Sequence, residues 1–178
     1  MIGVENAEPR IFITCGIHKE RYVCEDVLNI LYSYGIDAVC KDFSGKGFSV
    51  VYIDRSGVDV LRVVRYLVSR NVRGYWVIPI DSVCRTSYED IARCAVNLVL
   101  SRASLPLRLV GVCRKRGNLI DSCSNLLRYV GDSLERLGIA VVDFKNYSYV
   151  LRIEIVYDTT FISLYEKSAE SSFRVLSI

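Results

Sequence analysis

Three cations in a row, Arg114, Lys115 and Arg116, follow an apolar segment and precede Gly117 and Asn118. Like charges this close repel one another, so the arrangement costs stability unless an anion lies between them. Guanidinium groups form paired hydrogen bonds with phosphate oxygens, and a glycine lets a backbone approach closely. An asparagine can contact a base edge or a 2′-hydroxyl. These residue types are compatible with contact with a phosphate backbone, and the residues alone equally allow a solvated strand end that keeps the chain soluble.

Further candidates for an anion-binding surface lie beside predicted turns or at the ends of predicted strands and helices. They are Lys145, Asn146, Arg85, Arg73, Lys41 and Lys46. Arg85 precedes a predicted helix, whose N-terminus favours phosphate. Lys41 and Lys46 lie around the turn "SGKG", and a soluble, charged turn explains them equally well. Asn146 has a similar alternative, because turn asparagines commonly bond their own backbone.

The elements that position these residues follow a β-α-β-β-α-β order through residue 80. Four short segments rich in β-branched residues predict strands: "RIFITCGI", "IDAVCKDF", "FSVVYIDR" and "GYWVIPI". The glycines of "SGKG" supply the positive φ values of a hairpin turn. Helical spacing of apolar residues predicts one helix in "KERYVCEDVLNILYSYG", ending at Gly35, and another in "GVDVLRVVRYLVSR", capped by Ser56. This order is the ferredoxin-like arrangement.

A second set of elements begins near Asp81. Thr86 and Glu89 have the spacing of a capping box and open the helix "YEDIARCAVNLVLSR". A strand, "LPLRLVGVCRKR", and a helix, "SCSNLLRYVGDSLERLG", come next, and three strands follow in "AVVDF", "YVLRIEIVY" and "TTFISLYEK". The C-terminal tail is expected to dock on the body through its apolar residues, Phe173, Val175, Leu176 and Ile178, and the alternative is a loose segment.

These elements predict an α+β chain, with an N-terminal ferredoxin-like domain followed by an α/β domain that has a mixed sheet. We place the first domain at residues 1–74, the second at residues 75–167 and the tail at residues 168–178. Half of the 178 residues are hydrophobic and the net charge is +3, so an anion-binding face must be a local patch. Since neither a signal peptide nor a membrane-spanning run is recognised, we expect a cytoplasmic protein with no membrane contact.

The seven cysteines and the single histidine, His18, show no metal-ligand spacing, so no metal site is expected. Most cysteines lie among apolar neighbours, where a free cysteine behaves as a small hydrophobe, and their odd number argues against a secreted disulfide scaffold. Cys15 and His18 are three residues apart, a spacing compatible with a nucleophile and its base. However, "SGKG" lacks the spacing and ending of a nucleotide-binding P-loop. We predict no catalytic residue and no cofactor.

The order of several segments in the second half resembles a known family. "VIPIDSVCRTSYEDIARCA", "RKRG" and "VVDFKNYSYVLRIEIVYDTTFISL" follow one another as in a THUMP domain, over roughly residues 75–166. The segment before them is similar to the ferredoxin-like domain that usually accompanies THUMP. One departure is Tyr147, which stands where the family often has a proline after the "D-x-K-N" stretch.

THUMP domains are RNA-binding modules of tRNA-modifying proteins, so the resemblance implies that the chain binds tRNA at its acceptor stem and 3′ CCA end. With this resemblance, we interpret the candidate residues above as RNA-binding, and the alternatives given for Lys41, Lys46 and Asn146 stay open. No modifying domain is recognised, and the chain therefore most resembles the stand-alone THUMP adaptor that assists a separate cytidine acetyltransferase in making acetylcytidine. Two alternatives stay open: an RNA-modifying enzyme that uses a cysteine, as in thiolation, and a ferredoxin-like scaffold for a small molecule or a protein.

Overall fold

The computed structural model describes residues 7–54 and 57–175, and the chain divides into two compact units. Unit 1 comprises the residues up to Ile80 together with the C-terminal segment from Ser171, and unit 2 runs from Asp81 to Glu170. The division falls after the strand Trp76–Pro79, because this strand pairs with the first strand of the chain. The boundary predicted from the sequence lies before this strand. Within the described residues, no helix is long and apolar enough to cross a membrane.

Unit 1 is a four-stranded antiparallel sheet with two helices. Its elements in chain order are β1 (Ala7–Thr14), α1 (Glu20–Ser33), β2 (Ala38–Phe43), β3 (Phe48–Asp54), α2 (Val60–Ser69) and β4 (Trp76–Pro79). The strands lie in the order β2-β3-β1-β4, and each pairing is antiparallel. Both the element order and the strand order are ferredoxin-like, so the predicted fold of the first half is confirmed.

Local signals set the helix ends and the turns of unit 1. Gly35 has a φ of 76° after α1, and Gly45 and Gly47 have φ values of 72° and 73° in the hairpin, as the sequence predicts. The cap of α2 is Asp59, whose side chain accepts a hydrogen bond from the backbone N–H three residues later. The predicted cap, Ser56, lies outside the described residues.

The C-terminal segment packs on unit 1. Phe173 is completely buried and Val175 is also buried. An isolated antiparallel bridge joins this segment to Trp76, and the Val175 N–H donates to the Tyr75 carbonyl at 3.0 Å. The expected docking of the tail is therefore confirmed for Phe173 and Val175, whereas Leu176 and Ile178 lie outside the described residues.

Unit 2 is a five-stranded mixed sheet with two helices. Its elements are β5 (Ser82–Arg85), α3 (Tyr88–Leu100), β6 (Leu107–Arg116), α4 (Cys123–Arg136), β7 (Ala140–Val142), β8 (Tyr149–Val156) and β9 (Thr159–Glu166), followed by a short 3-10 helix (Lys167–Phe173). The strand order is β5-β9-β8-β6-β7. β6 runs parallel to β7 and β8, whereas β9 is antiparallel to β5 and β8. The predicted mixed α/β sheet is confirmed, although the sequence pattern does not reveal the four-residue strand β5.

Both helices of unit 2 lie on the same side of its sheet, where they share one apolar core with alternate residues of β6, β8 and β9. Gly111 permits this close packing, because a Cβ atom there would lie 2.6 Å from Cδ2 of Leu127. Ser87 caps α3 through its side chain. The predicted cap, Thr86, is one residue too early, and its hydroxyl instead forms a 2.9 Å hydrogen bond with the hydroxyl of Thr160.

Four of the seven cysteines form disulfides that each join a helix to a strand. Cys24 of α1 is bonded to Cys40 of β2, with 5.4 Å between the Cα atoms. Cys113 of β6 is bonded to Cys123 of α4, with 5.5 Å between the Cα atoms. The interpretation of most cysteines as free hydrophobic residues is therefore wrong for these four. The partners are separated by 16 and 10 residues, and only the packing of helix on sheet brings them together.

Candidate nucleic-acid interface

The alternation of side chains along β6 separates the three predicted cations. Leu107 and Leu109 belong to the core beneath α3 and α4, so Lys115, at the same parity, also lies on the helix side. Arg114 and Arg116 lie on the opposite side of the unit 2 sheet, which we call the far side. The three charges therefore do not form a single cluster.

Lys115 fixes the segment that leads into α4. Its ammonium donates to the carbonyl oxygens of Ile120 and Asp121, both at 2.9 Å. The Asp121 carboxylate in turn accepts hydrogen bonds from the Tyr88 hydroxyl and the Asn125 amide. These hydrogen bonds, the Tyr88 hydroxyl first, lower the pKa of Asp121 from 3.8 to about 2. Lys115 thus has a structural role at the start of α4, and its contact with RNA stays a prediction.

Arg116 also has an internal partner. Its guanidinium donates to Oε2 of Glu154 at 2.9 Å, and the other carboxylate oxygen, Oε1, accepts from Nε of Arg152 at 2.9 Å. The side chains of Glu154 and Arg152 are 3% and 5% exposed, whereas that of Arg116 is 21% exposed. One buried carboxylate therefore holds two guanidinium groups, and the premise of three unpaired cations is wrong for Arg116.

Gly117 is required by the chain itself. Its φ is 133°, and a Cβ atom would lie 3.1 Å from Cα of Tyr157, whose N–H donates to the Arg116 carbonyl at 2.7 Å. The close backbone approach that the sequence predicts is real, but the approaching group is this β8–β9 turn. Asn118 follows with an exposed side chain, and its contact with RNA stays a prediction.

Arg114 and Arg85 are exposed on the far side, at the same end of the sheet as Arg116. Arg85 pairs in register with Thr159, Thr159 with Val156, and Val156 with Arg116. Arg85 and Arg116 are therefore separated by three strand spacings, about 14 Å. Arg114 lies two residues before Arg116 on the same strand. Among the described residues, neither Arg85 nor Arg114 has an ion pair or a side-chain hydrogen bond.

We call Arg85, Arg114 and Arg116 the arginine row. On the strands that carry this row, its three members and buried Arg152 share the far side with one carboxylate, Glu154. The exposed guanidinium groups of Arg85 and Arg114 can bind phosphate through paired hydrogen bonds. The N-terminus of α3 does not add to the site as expected, because Glu89 and Asp90 already occupy its first turn.

Lys145 and Asn146 lie at the other end of the unit 2 sheet. They precede β8, whose first residue aligns with Leu109, seven residues or about 23 Å along β6 from the end that carries Arg116. The Asp143 carboxylate accepts the backbone N–H groups of Lys145 and Asn146, each at 2.9 Å. The structure therefore does not bring these two residues together with the arginine row, although their side chains are exposed.

The remaining candidates, Lys41, Lys46 and Arg73, belong to unit 1, and the side chains of all three are exposed. The Lys41 ammonium lies 5.1 Å from the ring centroid of Phe43 on the edge strand β2. Arg73 donates its backbone N–H to the Asp26 carboxylate at 2.9 Å. The RNA contacts of these three residues stay predictions.

The cysteine considered as a nucleophile is poorly suited to that role. Cys15 is 8% exposed. Burial, and to a lesser extent the Glu20 carboxylate, raises the pKa of its thiol from 9.0 to about 11. The thiol is therefore protonated at neutral pH, and a protonated thiol is a weak nucleophile. Within the described residues, no three histidine, cysteine, aspartate or glutamate side chains meet as a metal site.

A cavity on the helix side of unit 2 was not indicated by the sequence. It has a volume of about 510 Å³ and lies between α4 and strands β6 and β7. Leu127, Val142 and Phe144 contribute apolar walls, and Arg128 and Glu135 contribute charge. Because it lies beneath the helices, this cavity belongs to a different face of the sheet from the arginine row.

Solved structures share this fold over nearly the whole chain. PH1313 from Pyrococcus horikoshii Ot3 matches 89% of the chain with a TM-score of 0.69 and 17% identity. TrmN from Thermus thermophilus matches 88% with a TM-score of 0.59 and 16% identity. A 4-thiouridine synthetase in complex with RNA and ATP matches 89% with a TM-score of 0.51 and 15% identity. These likenesses establish a common fold, consistent with the THUMP-like architecture predicted from the sequence.

The chain spans 55%, 45% and 41% of the lengths of these three structures, in the same order. No family model and no curated protein matches the sequence. The comparisons therefore define the class of fold, and the chemistry of the arginine row must carry the functional argument.

Proposed function

We propose that this chain binds tRNA at the acceptor stem and 3′ CCA end and presents it to a separate modifying enzyme, a cytidine acetyltransferase. The chain itself performs no chemistry in this proposal. The fold supports RNA binding, because one structure that shares it is a 4-thiouridine synthetase determined as a complex with RNA. The acetyltransferase partner rests on the resemblance of the sequence to the stand-alone THUMP adaptor.

The observation that carries the RNA-binding proposal is the pair of exposed arginines, Arg85 and Arg114, at one end of the far side. Neither is neutralised by another described residue, whereas the neighbouring Lys115 and Arg116 both have internal partners. Lys115 and Arg116 therefore have structural roles, whereas the described structure gives Arg85 and Arg114 none. Their separation across three strand spacings suits contact with two non-adjacent phosphates of one backbone.

The adaptor role, as opposed to catalysis, is supported by the state of Cys15. A thiolation-like mechanism needs a reactive thiolate, and burial keeps this thiol protonated. The proposal therefore predicts that RNA incubated with the chain alone is bound and released without chemical change. Nucleoside mass spectrometry of the recovered RNA measures this outcome directly.

Electrophoretic mobility shift with total tRNA tests the binding proposal. We expect the Arg114→Glu variant to bind about tenfold more weakly, because a phosphate contact becomes a repulsion. The matched control is Arg128→Glu, which makes the same charge change at an exposed position of α4, on the helix side. Enzymatic removal of the 3′ CCA should also weaken binding. Equal affinities for Arg114→Glu and Arg128→Glu would contradict the proposed surface.

Deleting the gene in its host and measuring tRNA nucleosides tests the choice of partner. The proposal predicts loss of acetylcytidine, restored by the wild-type gene and not by one that encodes Arg85→Glu and Arg114→Glu together. If acetylcytidine persists while another modified nucleoside disappears, the acetyltransferase is the wrong partner and RNA binding remains. If tRNA modification is unchanged, the adaptor role itself is wrong.

A further inference from the structure

Both disulfides of the chain follow one pattern, in which a cysteine on a helix is bonded to a cysteine on a strand beneath it. Cys24 of α1 is bonded to Cys40 of β2, and Cys113 of β6 is bonded to Cys123 of α4. The second pair is separated by ten residues along the sequence. Cys84 and Cys94 have the same separation, and they too lie on a strand and on the helix that follows it, β5 and α3.

Cys84 and Cys94 are already neighbours. Cys84 pairs in register with Thr160 of β9. Thr160 has the same parity along β9 as Ile162 and Leu164, which belong to the core beneath the helices, so Cys84 also lies on the helix side, toward α3. Both cysteines are partly buried against the apolar core of unit 2. The two elements that carry them, β5 and α3, pack directly against each other. Two thiols on adjacent, rigid elements that pack against the same core need little movement to form a bond.

We propose that Cys84 and Cys94 form a third disulfide, between β5 and α3. The oxidant is a low-molecular-weight disulfide of the glutathione type. One protein thiolate attacks it, forming a mixed disulfide and releasing one thiol. The second protein thiolate then attacks the mixed disulfide and releases the second thiol. Overall two protein thiols lose two electrons and two protons, and one small disulfide becomes two small thiols.

The third bond would act on a short edge strand of the site. β5 is a four-residue edge strand that pairs with β9 alone among the described strands, and its last residue is Arg85. A covalent link from the adjacent Cys84 to α3 fixes the strand end from which Arg85 projects. With this bond, three of the four α-helices in the described part of the chain are covalently linked to a strand. Cys15 then remains as the one free cysteine.

Alkylation under denaturing conditions tests the bond. The purified full-length chain is equilibrated with oxidised glutathione, denatured without reductant and treated with iodoacetamide, and its adducts are counted by intact mass. The proposal predicts a single adduct, on Cys15. With only the two disulfides of the structure, three adducts form, on Cys15, Cys84 and Cys94. Burial, followed by the proximity of Cys94, raises the pKa of Cys84, so the equilibration must be long enough for a slow attacking thiol.

Peptide mapping identifies the partners. Trypsin cleaves after Arg73, Arg85, Arg93 and Arg102, so the bond joins "GYWVIPIDSVCR" to "CAVNLVLSR" in one species that disappears on reduction. The Cys84→Ser variant should raise the number of adducts from one to two, and Cys15→Ser should lower it from one to zero. Alkylation or glutathione capture of both Cys84 and Cys94 in the wild-type chain overturns the proposal.

Discussion

Replacing Arg116 by alanine separates its structural duty from any role in binding. The substitution removes one of two guanidinium groups from Glu154, whose side chain is 3% exposed. The lost hydrogen bond is 2.9 Å long and joins two charged groups. Hydrogen bonds to charged groups contribute about 1.5–3 kcal/mol to folding. Because Arg152 still donates to Glu154, the carboxylate is not left without a partner. We therefore expect unfolding free energy to fall by about 2 kcal/mol.

The matched substitution is Arg114→Ala, two residues away on the same strand and the same side. Arg114 is exposed and has no ion pair within the described residues, so its loss should change stability by at most about 0.5 kcal/mol. For a chain of this size, the Arg116→Ala variant should melt about 4–8 °C lower than wild type, while Arg114→Ala stays close to it.

Differential scanning calorimetry compares the two variants, and hydrogen exchange of the β6 and β8 amides locates the effect in unit 2. Equal melting temperatures for Arg116→Ala and Arg114→Ala would refute the reasoning, since the ion pair with Glu154 would then contribute nothing. If Arg116→Ala is destabilised, weaker RNA binding by that variant reflects lost stability as well as a lost contact. Substitutions of Arg114 therefore test the RNA contact more directly.

Two further predictions concern backbone geometry and acid stability. Gly117→Ala should cost about 3 kcal/mol in urea unfolding, because its φ of 133° is strained for alanine and its Cβ would lie 3.1 Å from the Tyr157 backbone. Gly35→Ala, with a φ of 76° and open space around it, should cost only about 1 kcal/mol, and the reverse order would contradict this account. Burial disfavours the charge of Glu20, but backbone N–H groups, Gly47 first, outweigh it and hold its pKa below 4.5. The stability that this carboxylate contributes is therefore present above pH 4.5 and is lost as the pH falls through the lower folded pKa. Urea midpoints measured above and below that pH should show a smaller acid-dependent loss in Glu20→Gln than in wild type, and parallel curves would contradict the assignment.

The fold was predictable because its signals are local. Helical spacing defines both helices of unit 1, and Gly35 ends the first of them as expected. The glycines of the hairpin have the positive φ values that the turn needs. The strand β5 escapes such an analysis because the residue types of its four-residue sequence, "SVCR", do not alternate between apolar and polar. Its existence depends on β9, which lies more than seventy residues later in the chain.

The site was less predictable because its partners are distant in sequence. Glu154 is 38 residues from Arg116, and only the parallel pairing of β6 with β8 brings their side chains together. One signal was available: Arg152 and Glu154 share a side of the otherwise apolar strand "YVLRIEIV". Opposite charges two residues apart on a buried strand indicate an internal ion pair. The same reasoning leaves Arg114 and Arg85 as the residues that lack an internal explanation.

The salt dependence of tRNA affinity tests this conclusion most directly. For each phosphate contact that is lost, the slope of log affinity against log salt concentration should become shallower by about 0.7–0.9. The account predicts that change for Arg114→Ala and for Arg85→Ala, twice that change for the double variant, and none for Arg128→Ala. Identical slopes for the wild-type chain and the double variant would contradict the claim that the arginine row binds a polynucleotide backbone.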